Sequence, residues 1–304
     1  MKQLTLGILT FDNSKYLQDL LNSVDKQGDK HFKLLIINNG STDNTHLIID
    51  NFKNLEHDYL IQVINDKYNC GSFLGTNKLF LQTTTRYLSI IHGDDLLKDN
   101  YVEMANFAIN SNPNISAFNF DLEEIQGERN LSTGRVLRSN WTKFKIFNRL
   151  MVAGLNPGLM PGSIINLSRL GNNFLDRDFE GFRLNGTEDI FLWQQIIRTS
   201  GKIIRIPTAT YFYRRHNNQI SKNFNEYGES LGYARKLNFV TARTMFEKLL
   251  CVSEIAYEFS TVKKNTSYLK GLDSIAKYKI FSVFRIINIV IRRIANLINH
   301  MTVS

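Results

Sequence analysis

The chain has 304 residues, 43% of them apolar and 21% charged, with a mean hydropathy of -0.22. That balance describes a globular protein with a full core and excludes a disordered, fibrous or multi-span membrane protein; no run reaches the roughly 18 uncharged apolar residues of a membrane-spanning helix. The net charge of +9 is uneven, because residues 222–304 hold 13 Lys and Arg against 6 Asp and Glu, whereas the first 221 hold 24 against 22. A basic tail on a near-neutral body fits an anionic surface for the tail alone. Its lack of interleaved aromatics and of a groove-fitting motif argues against nucleic acid as the partner. Cys70 and Cys251 have no metal-ligand spacing around them and read as free thiols. The N-terminal run MKQLTLGILTFDNSKYL has no small-residue cleavage site and continues into a strand, so a cytoplasmic protein is expected.

Taken in order, the first 121 residues alternate β-rich runs with helical patterns. Leu4 to Phe11 predicts a strand, and Leu17, Leu20, Leu21 and Val24 then recur at helical spacing between Ser14 and Gln27. Phe32 to Asn38 is a second strand, followed by a Gly-Ser-Thr-Asp turn and a helix over about 44–54. Leu60 to Ile64 is a third strand, Phe73 to Thr84 a third helix, and Tyr87 to His92 a fourth strand ending in Gly93-Asp94-Asp95. Strands separated by helices of this length imply right-handed crossovers and a parallel sheet. Ligands of such sheets bind beyond the carboxyl ends of the strands. Three of those ends are polar here (Thr10 to Asn13, Asn38 to Ser41, His92 to Asp95), and together they would form one polar edge.

Residues 122–186 are less regular. Pro157-Gly158 and Pro161-Gly162 mark a turn-rich loop, and substrate-specific structure is expected between about 140 and 185. Gly162 to Leu167 reads as a strand, 188–199 as a helix begun by Thr187, and 203–206 and 210–213 as two further strands. Beyond Ser221 the pattern is helical. On a wheel of 279–300, Arg285, Asn288, Arg292, Asn296 and Asn299 share one narrow face within a broad apolar arc. That suits a helix lying in an anionic membrane interface, or one packed on the body or on a second subunit in a homodimer.

Four groups could carry chemistry. Asp94-Asp95 at a strand end suits Mg2+ or Mn2+ holding a diphosphate, or else simply caps a helix. Glu188-Asp189 at a helix start could supply a general base or could only balance the helix dipole. Arg214 and His216, in a stretch dense with aromatic and amide groups, are donors of the kind a diphosphate needs, or part of a solvated edge strand. His216 is also a weaker candidate metal ligand. The run Asn38 to Asp43 lacks both the Gly-x-Gly-x-x-Gly and the Gly-Lys-Ser/Thr spacings, so neither a dinucleotide fingerprint nor a P-loop is supported.

In order, these runs resemble glycosyltransferase family 2, the inverting enzymes of GT-A fold. The pieces are Thr10-Phe11 with Tyr16-Leu17, NNGSTDNT at 38–45, Asn69-x-Gly71 with Asn77, Gly93-Asp94-Asp95, Thr187-Glu188-Asp189 with Trp193, and Tyr213-Arg214-x-His216 with Ser221. The resemblance implies an α/β GT-A fold, Rossmann-like, with a mostly parallel central sheet flanked by helices. Its glycosyltransferase domain would span 1–221, with a nucleotide-binding half at 1–121 and an acceptor-side half at 122–221; a helical basic extension follows at 222–304. It also implies transfer from a nucleotide sugar, a UDP-sugar by preference, to a glycan or polyprenyl-linked acceptor, of the kind used in bacterial surface-polysaccharide assembly. Asp189 would be the general base, and Asp94, with Asp95, would hold the cation. Thr10, Phe11, Asn38, Asn39, Gly71, Asn77, His92 and Glu188 would bind the donor, while Arg214 and His216 close over the diphosphate from a mobile segment. Two departures stand out. Asn38-Asn39 replace acidic residues of the family, and His92 replaces the leading Asp of its Asp-x-Asp motif. An amide at 38 both accepts and donates, which loosens discrimination among bases. The departures leave open a catalytically silent scaffold that binds a nucleotide or a partner.

Overall fold

The computed structural model describes residues 2–139, 141, 158–170, 186–198, 201–217 and 219, with scattered positions between 231 and 255. The expected helix at 279–300 and most of the loop at 140–185 lie outside the described residues. The chain divides into two compact units interleaved in sequence: Met1–Ser139, Leu159–Arg177 and Gly201–His216 form one, and Asn140–Gly158, Asp178–Ser200 and Asn217–Ser304 the other.

The first unit contains β1 (Leu4–Thr10), α1 (Leu17–Asp25), β2 (Phe32–Asn38), α2 (Thr45–Lys53), β3 (Leu60–Asn65), α3 (Ser72–Gln82) and β4 (Tyr87–His92). There follow β5 (Leu96–Leu97), α4 (Tyr101–Ser111), β6 (Ala117–Gln126), β7 (Leu131–Leu137), β8 (Ser163–Asn166), a 3-10 turn at Leu167–Arg169 and β9 (Ile203–Arg215). The strands form one sheet in the order β3-β2-β1-β4-β8-β6-β9-β5, with β7 paired to β6. The first four are mutually parallel. Beyond them β8 runs antiparallel to β4 and β6, and β9 parallel to β6. The α/β sheet with flanking helices is the expected class, but the sheet is mixed where a mostly parallel one was expected, because β5, β7 and β8 pair antiparallel with their neighbours.

The reason for the parallel half lies in the side chains. Leu4, Leu6 and Ile8 of β1 are fully buried against Leu17, Leu20, Leu21 and Val24 of α1, in one core with Phe32, Leu34 and Ile36 of β2. Each such side chain contributes about 1.5–3 kcal/mol by leaving water. The other face of β1 is also covered, since a Cβ on Gly7 would lie 2.6 Å from a Leu88 methyl and 3.1 Å from one of Leu79 in α3. Burial on both faces is what makes β1 and β2 read as near-continuous apolar runs.

Four elements (β5, α4, β6 and β7) and one merger were absent from the sequence reading. The helix α4 buries Tyr101, Val102, Ala105, Ala108 and Ile109, a helical spacing present in the sequence. The strand β6 is buried almost throughout although it carries Asp121 and Glu124. Arg205 grips Asp121 with bonds of 2.7 and 2.8 Å, and Arg215 reaches Glu124 at 2.9 Å. The strands expected at 203–206 and 210–213 are one strand, β9, whose register shifts opposite Asp121. That irregularity absorbs the Pro207 region without ending the strand.

In the second unit, α5 (Glu188–Arg198) follows a fully buried Thr187 and opens with two acids. Trp193 is completely buried, packs edge-on to Trp141 at 5.4 Å, and leaves no room for a Cβ at Gly158, which would sit 2.2 Å from its Nε1. Helical residues recur between 231 and 255. There Thr244 and Glu247 form a reciprocal capping box, with bonds of 3.1 and 3.2 Å. Among the described residues no helix is long and apolar enough to cross a membrane.

Candidate active site

Because β1, β2 and β4 are parallel neighbours, their carboxyl ends lie side by side. Thr10 is in register with Asn38, and Leu9 with His92. The chain leaving each strand is tied to the next: Asn39 N–H donates to the Thr10 carbonyl at 2.9 Å, and Gly93 N–H to the Leu9 carbonyl at 3.1 Å. The β1–α1 and β2–α2 loops are cross-braced by carboxylates. Asp12 accepts from Thr42 N–H at 2.7 Å, and Asp43 accepts from Ser14 N–H at 3.0 Å and Thr45 N–H at 2.9 Å. Burial alone would raise the Asp43 pKa, but these hydrogen bonds outweigh it and bring the carboxyl down to about 2.

His92, Asp94 and Asp95 form the acidic corner, with ligand atoms all within 4.8 Å of one another. The two carboxylates differ in kind. Asp95 has no exposed surface; its Oδ2 accepts from the Tyr211 hydroxyl and its Oδ1 from Arg214 N–H, both at 2.8 Å. Tyr211 in turn accepts from His92 N–H at 3.2 Å, so Asp95 anchors the end of β4 to β9. Burial, reinforced by the charge of Asp94, pushes the Asp95 carboxyl well above the usual carboxylate range despite those donors. Asp94 is partly exposed, and its Oδ2 accepts from His216 Nε2 at 2.7 Å. Burial opposes its ionisation, but the His216 bond and the charges of His92 and His216 hold it below its ordinary value. Burial lowers the His92 pKa more than the charge of Asp94 raises it.

Arg214 sits differently from the expectation of a segment closing over a diphosphate. Its side chain has no exposure. Its Nε donates to the Asp94 carbonyl at 2.6 Å, and its Nη1 to the Gly127 carbonyl and the Asn130 side chain in the β6–β7 turn. The guanidinium lies 4.7 Å from the Tyr16 ring centroid, and the same ring stacks with His216 at 5.0 Å. Tyr16 and Arg214 thus position Asp94 and His216. Burial inside β9 explains the difference: an arginine with this many carbonyl partners is part of the interior.

Asn38 and Asn39 are almost fully buried. Asn38 Oδ1 accepts from Ser41 N–H at 3.2 Å and its Nδ2 donates to Asn65 at 3.0 Å. Asn39 accepts from Cys70 N–H at 3.1 Å and donates to Asn69 at 3.0 Å and to the Gly71 carbonyl at 3.2 Å. Gly71, at φ +87°, starts α3, on which Asn77 is half-buried. Phe11 is 39% exposed at the end of β1. Residues not singled out from sequence also belong to this edge: Tyr211, Asn65, and Asp66 with its ion pair to Lys78 at 2.6 Å. Asn65 and Asp66 directly follow a predicted strand, the one signal that could have flagged them. In the second unit, Glu188 and Asp189 are half-buried in the first turn of α5, where Asp189 Oδ1 accepts from Ile190 N–H at 2.8 Å.

The sequence model described as Glycosyl transferase family 2 matches residues 5–163, a span that contains the whole parallel half of the sheet and the acidic corner. The chain belongs to glycosyltransferase family 2. An uncharacterized glycosyltransferase of Haemophilus influenzae is 23% identical to this family 2 enzyme over 227 residues, covering 72% of the chain and 67% of the relative. Glycosyltransferase GlyA of Streptococcus pneumoniae is 24% identical over 290 residues, 92% of this chain but 40% of that protein. The chain therefore spans less than half of GlyA. Among solved structures, S. aureus TarS 1–349 in complex with UDP-GlcNAc superposes with a TM-score of 0.67 at 14% identity, over 98% of this chain and 92% of TarS 1–349. The fold is that of a GT-A glycosyltransferase, and the activity of the family is glycosyl transfer from a nucleotide sugar.

Proposed function

We propose that the enzyme moves a sugar from a nucleoside diphosphate sugar, a UDP-sugar by preference, to a hydroxyl of a glycan or polyprenyl-linked acceptor, in one in-line displacement that inverts the anomeric carbon. The observation that carries this reading is the acidic corner at the carboxyl edge of β1, β2 and β4, where ligand atoms of His92, Asp94 and Asp95 lie within 4.8 Å of one another and His216 bonds the Asp94 carboxylate at 2.7 Å. The carboxylate oxygens of this set suit Mg2+ or Mn2+, and the imidazole beside them favours Mn2+ of the two. Asp94 and His92 would hold the cation with Asp95 behind them, and the cation would supply positive charge to the departing diphosphate. His216 orients the Asp94 carboxylate. Thr10, Phe11, Asn38, Asn39, Gly71 and Asn77 are assigned to the donor side. Asp189 is assigned as the base that accepts the proton of the attacking hydroxyl, and Glu188 as a contact to sugar hydroxyls. The basic region 222–304 is assigned to the anionic inner membrane surface, where a polyprenyl-linked acceptor would reside.

A thermal-shift panel of UDP, GDP, dTDP and CMP, each with and without Mn2+, tests the donor site. Ligand at about 100 times its Kd adds roughly 2.7 kcal/mol, so one nucleoside diphosphate should raise Tm by several degrees in a metal-dependent way; no shift with any of them would sink the reading. Asp189→Asn should abolish transfer while donor affinity stays within about twofold; a parallel loss of both would remove the role given to Asp189.

A further inference from the structure

We infer that the β6–β7 hairpin is an anion-binding surface beside the active site, and that the acceptor it guides is an anionic glycan, one carrying phosphodiester or carboxylate groups at intervals along its chain; this rests on the transfer reading above. The charges of the hairpin itself point there. Between Ala117 and Arg138 stand four acids, and each is answered by a cation from elsewhere in the chain: Asp121 by Arg205 at 2.7 Å, Glu123 by Lys98 at 2.8 Å, Glu124 by Arg215 at 2.9 Å, and Glu128 by Lys15. The hairpin's own arginines, Arg129, Arg135 and Arg138, are therefore surplus. Arg135 stands 3.7 Å from the Glu124 oxygen that Arg215 already bonds at 2.9 Å, and Arg138 stands 3.7 Å from the Asp121 oxygen that Arg205 bonds at 2.8 Å. Their side chains are 65% and 61% exposed. Arg129, exposed in the turn, has no acceptor among the described residues. Exposed guanidinium forks of this kind fit phosphate and carboxylate groups with two parallel hydrogen bonds.

The hairpin is joined to the acidic corner. The Arg214 guanidinium that donates to the Asp94 carbonyl at 2.6 Å also bonds the Gly127 carbonyl and the Asn130 side chain in the turn. A chain that leaves the corner by way of this turn and follows β7 passes Arg129, then Arg135, then Arg138. Spacing decides between one charged group and many. A strand rises about 3.4 Å per residue, which sets Arg135 and Arg138 about 10 Å apart along β7, and Arg129 lies up to about 30 Å from Arg138. One diphosphate does not reach along such a row, whereas a chain with repeated charges does. The sequence continues with the same sign: residues 129–175 hold seven Lys and Arg and no Asp or Glu. The seam beside the acidic corner is therefore built for a polyanion rather than for a neutral sugar chain.

Arg135→Gln combined with Arg138→Gln removes two of the surplus charges and touches no residue assigned to the donor. Fluorescence anisotropy of the 304-residue chain reads binding of three labelled oligomers of equal length: a glycerol phosphate oligomer, an oligogalacturonate and a neutral dextran oligomer. The wild type should bind at least one of the two anionic oligomers about tenfold more tightly than dextran, with affinity falling as salt rises. The one it prefers identifies the anion as phosphodiester or carboxylate. The double variant should lose about that tenfold, with Tm and the thermal shift given by the nucleotide unchanged. Equal wild-type affinity for dextran, or an anionic preference that survives in the folded double variant, overturns the inference and leaves the donor site standing. A loss confined to binding of phosphatidylglycerol vesicles also overturns it, in favour of a lipid surface. Tight binding of an anionic oligomer with no thermal shift from any nucleotide removes the acceptor role together with the transfer reading.

Discussion

Asp94 and Asp95 are adjacent in sequence and differ in almost every physical respect, because one faces the loops at the strand ends and the other faces Tyr211 and the backbone of β9. Both lie in the short turn between β4 and β5, so a pair of acids there serves two purposes. Asp43 shows the same logic with a measurable consequence. Against the opposing effect of burial, its carboxyl is held at about 2 by hydrogen bonds from the side chains and N–H groups of Thr45 and Ser14, so its stabilisation is complete above the unfolded value near pH 3.9 and is lost as pH falls through about 2. Solvent screening limits the effect to about 1–2 kcal/mol. Urea unfolding between pH 5 and pH 2 should show Asp43→Asn less stable than the wild type at pH 5 and close to it near pH 2. A constant gap across that range would contradict the assigned cause.

At the scale of elements, the loops are built on the strand ends by close backbone contact. Gly40 has φ +73°, and a Cβ there would lie 2.3 Å from the Tyr68 carbonyl carbon and 2.5 Å from Asn69 N. The β2–α2 turn and the β3–α3 loop therefore meet in close backbone contact at Gly40, which is how the Asn39 side chain comes within reach of Asn69 and Cys70. Gly40→Ala should cost about 2–4 kcal/mol in chemical denaturation, since both strain and a backbone clash must be relieved. It should also weaken nucleotide binding, because the loop carrying Asn69 must shift. A neutral effect on both would mean the two loops do not depend on each other. The strand β6 teaches a different lesson. Its charged positions Asp121, Glu123 and Glu124 resemble a loop in sequence, and arginines of β9, more than eighty residues later, hydrogen-bond two of them in the interior.

For the whole molecule, charge is divided between a near-neutral catalytic body and a basic C-terminal region. If that region docks on anionic lipid, the 304-residue chain should float with phosphatidylglycerol-containing vesicles, stay behind with phosphatidylcholine alone, and be released by high salt. Salt-independent flotation would point to apolar insertion, and self-association without vesicles would favour the homodimer contact. The parallel half of the sheet, its crossover helices and the polar strand ends at Thr10, Asn38 and His92 were legible in the sequence. Hydrophobic period and turn chemistry are local properties, and a parallel sheet with both faces covered writes them directly into consecutive residues. The motif residues could likewise be named from their order along the chain. What the tertiary structure decided was which way those residues face. Arg214 became an interior brace and Asp95 an anchor, because burial and hydrogen-bond direction depend on partners contributed by distant strands, and no window along the chain contains both halves of such a pair.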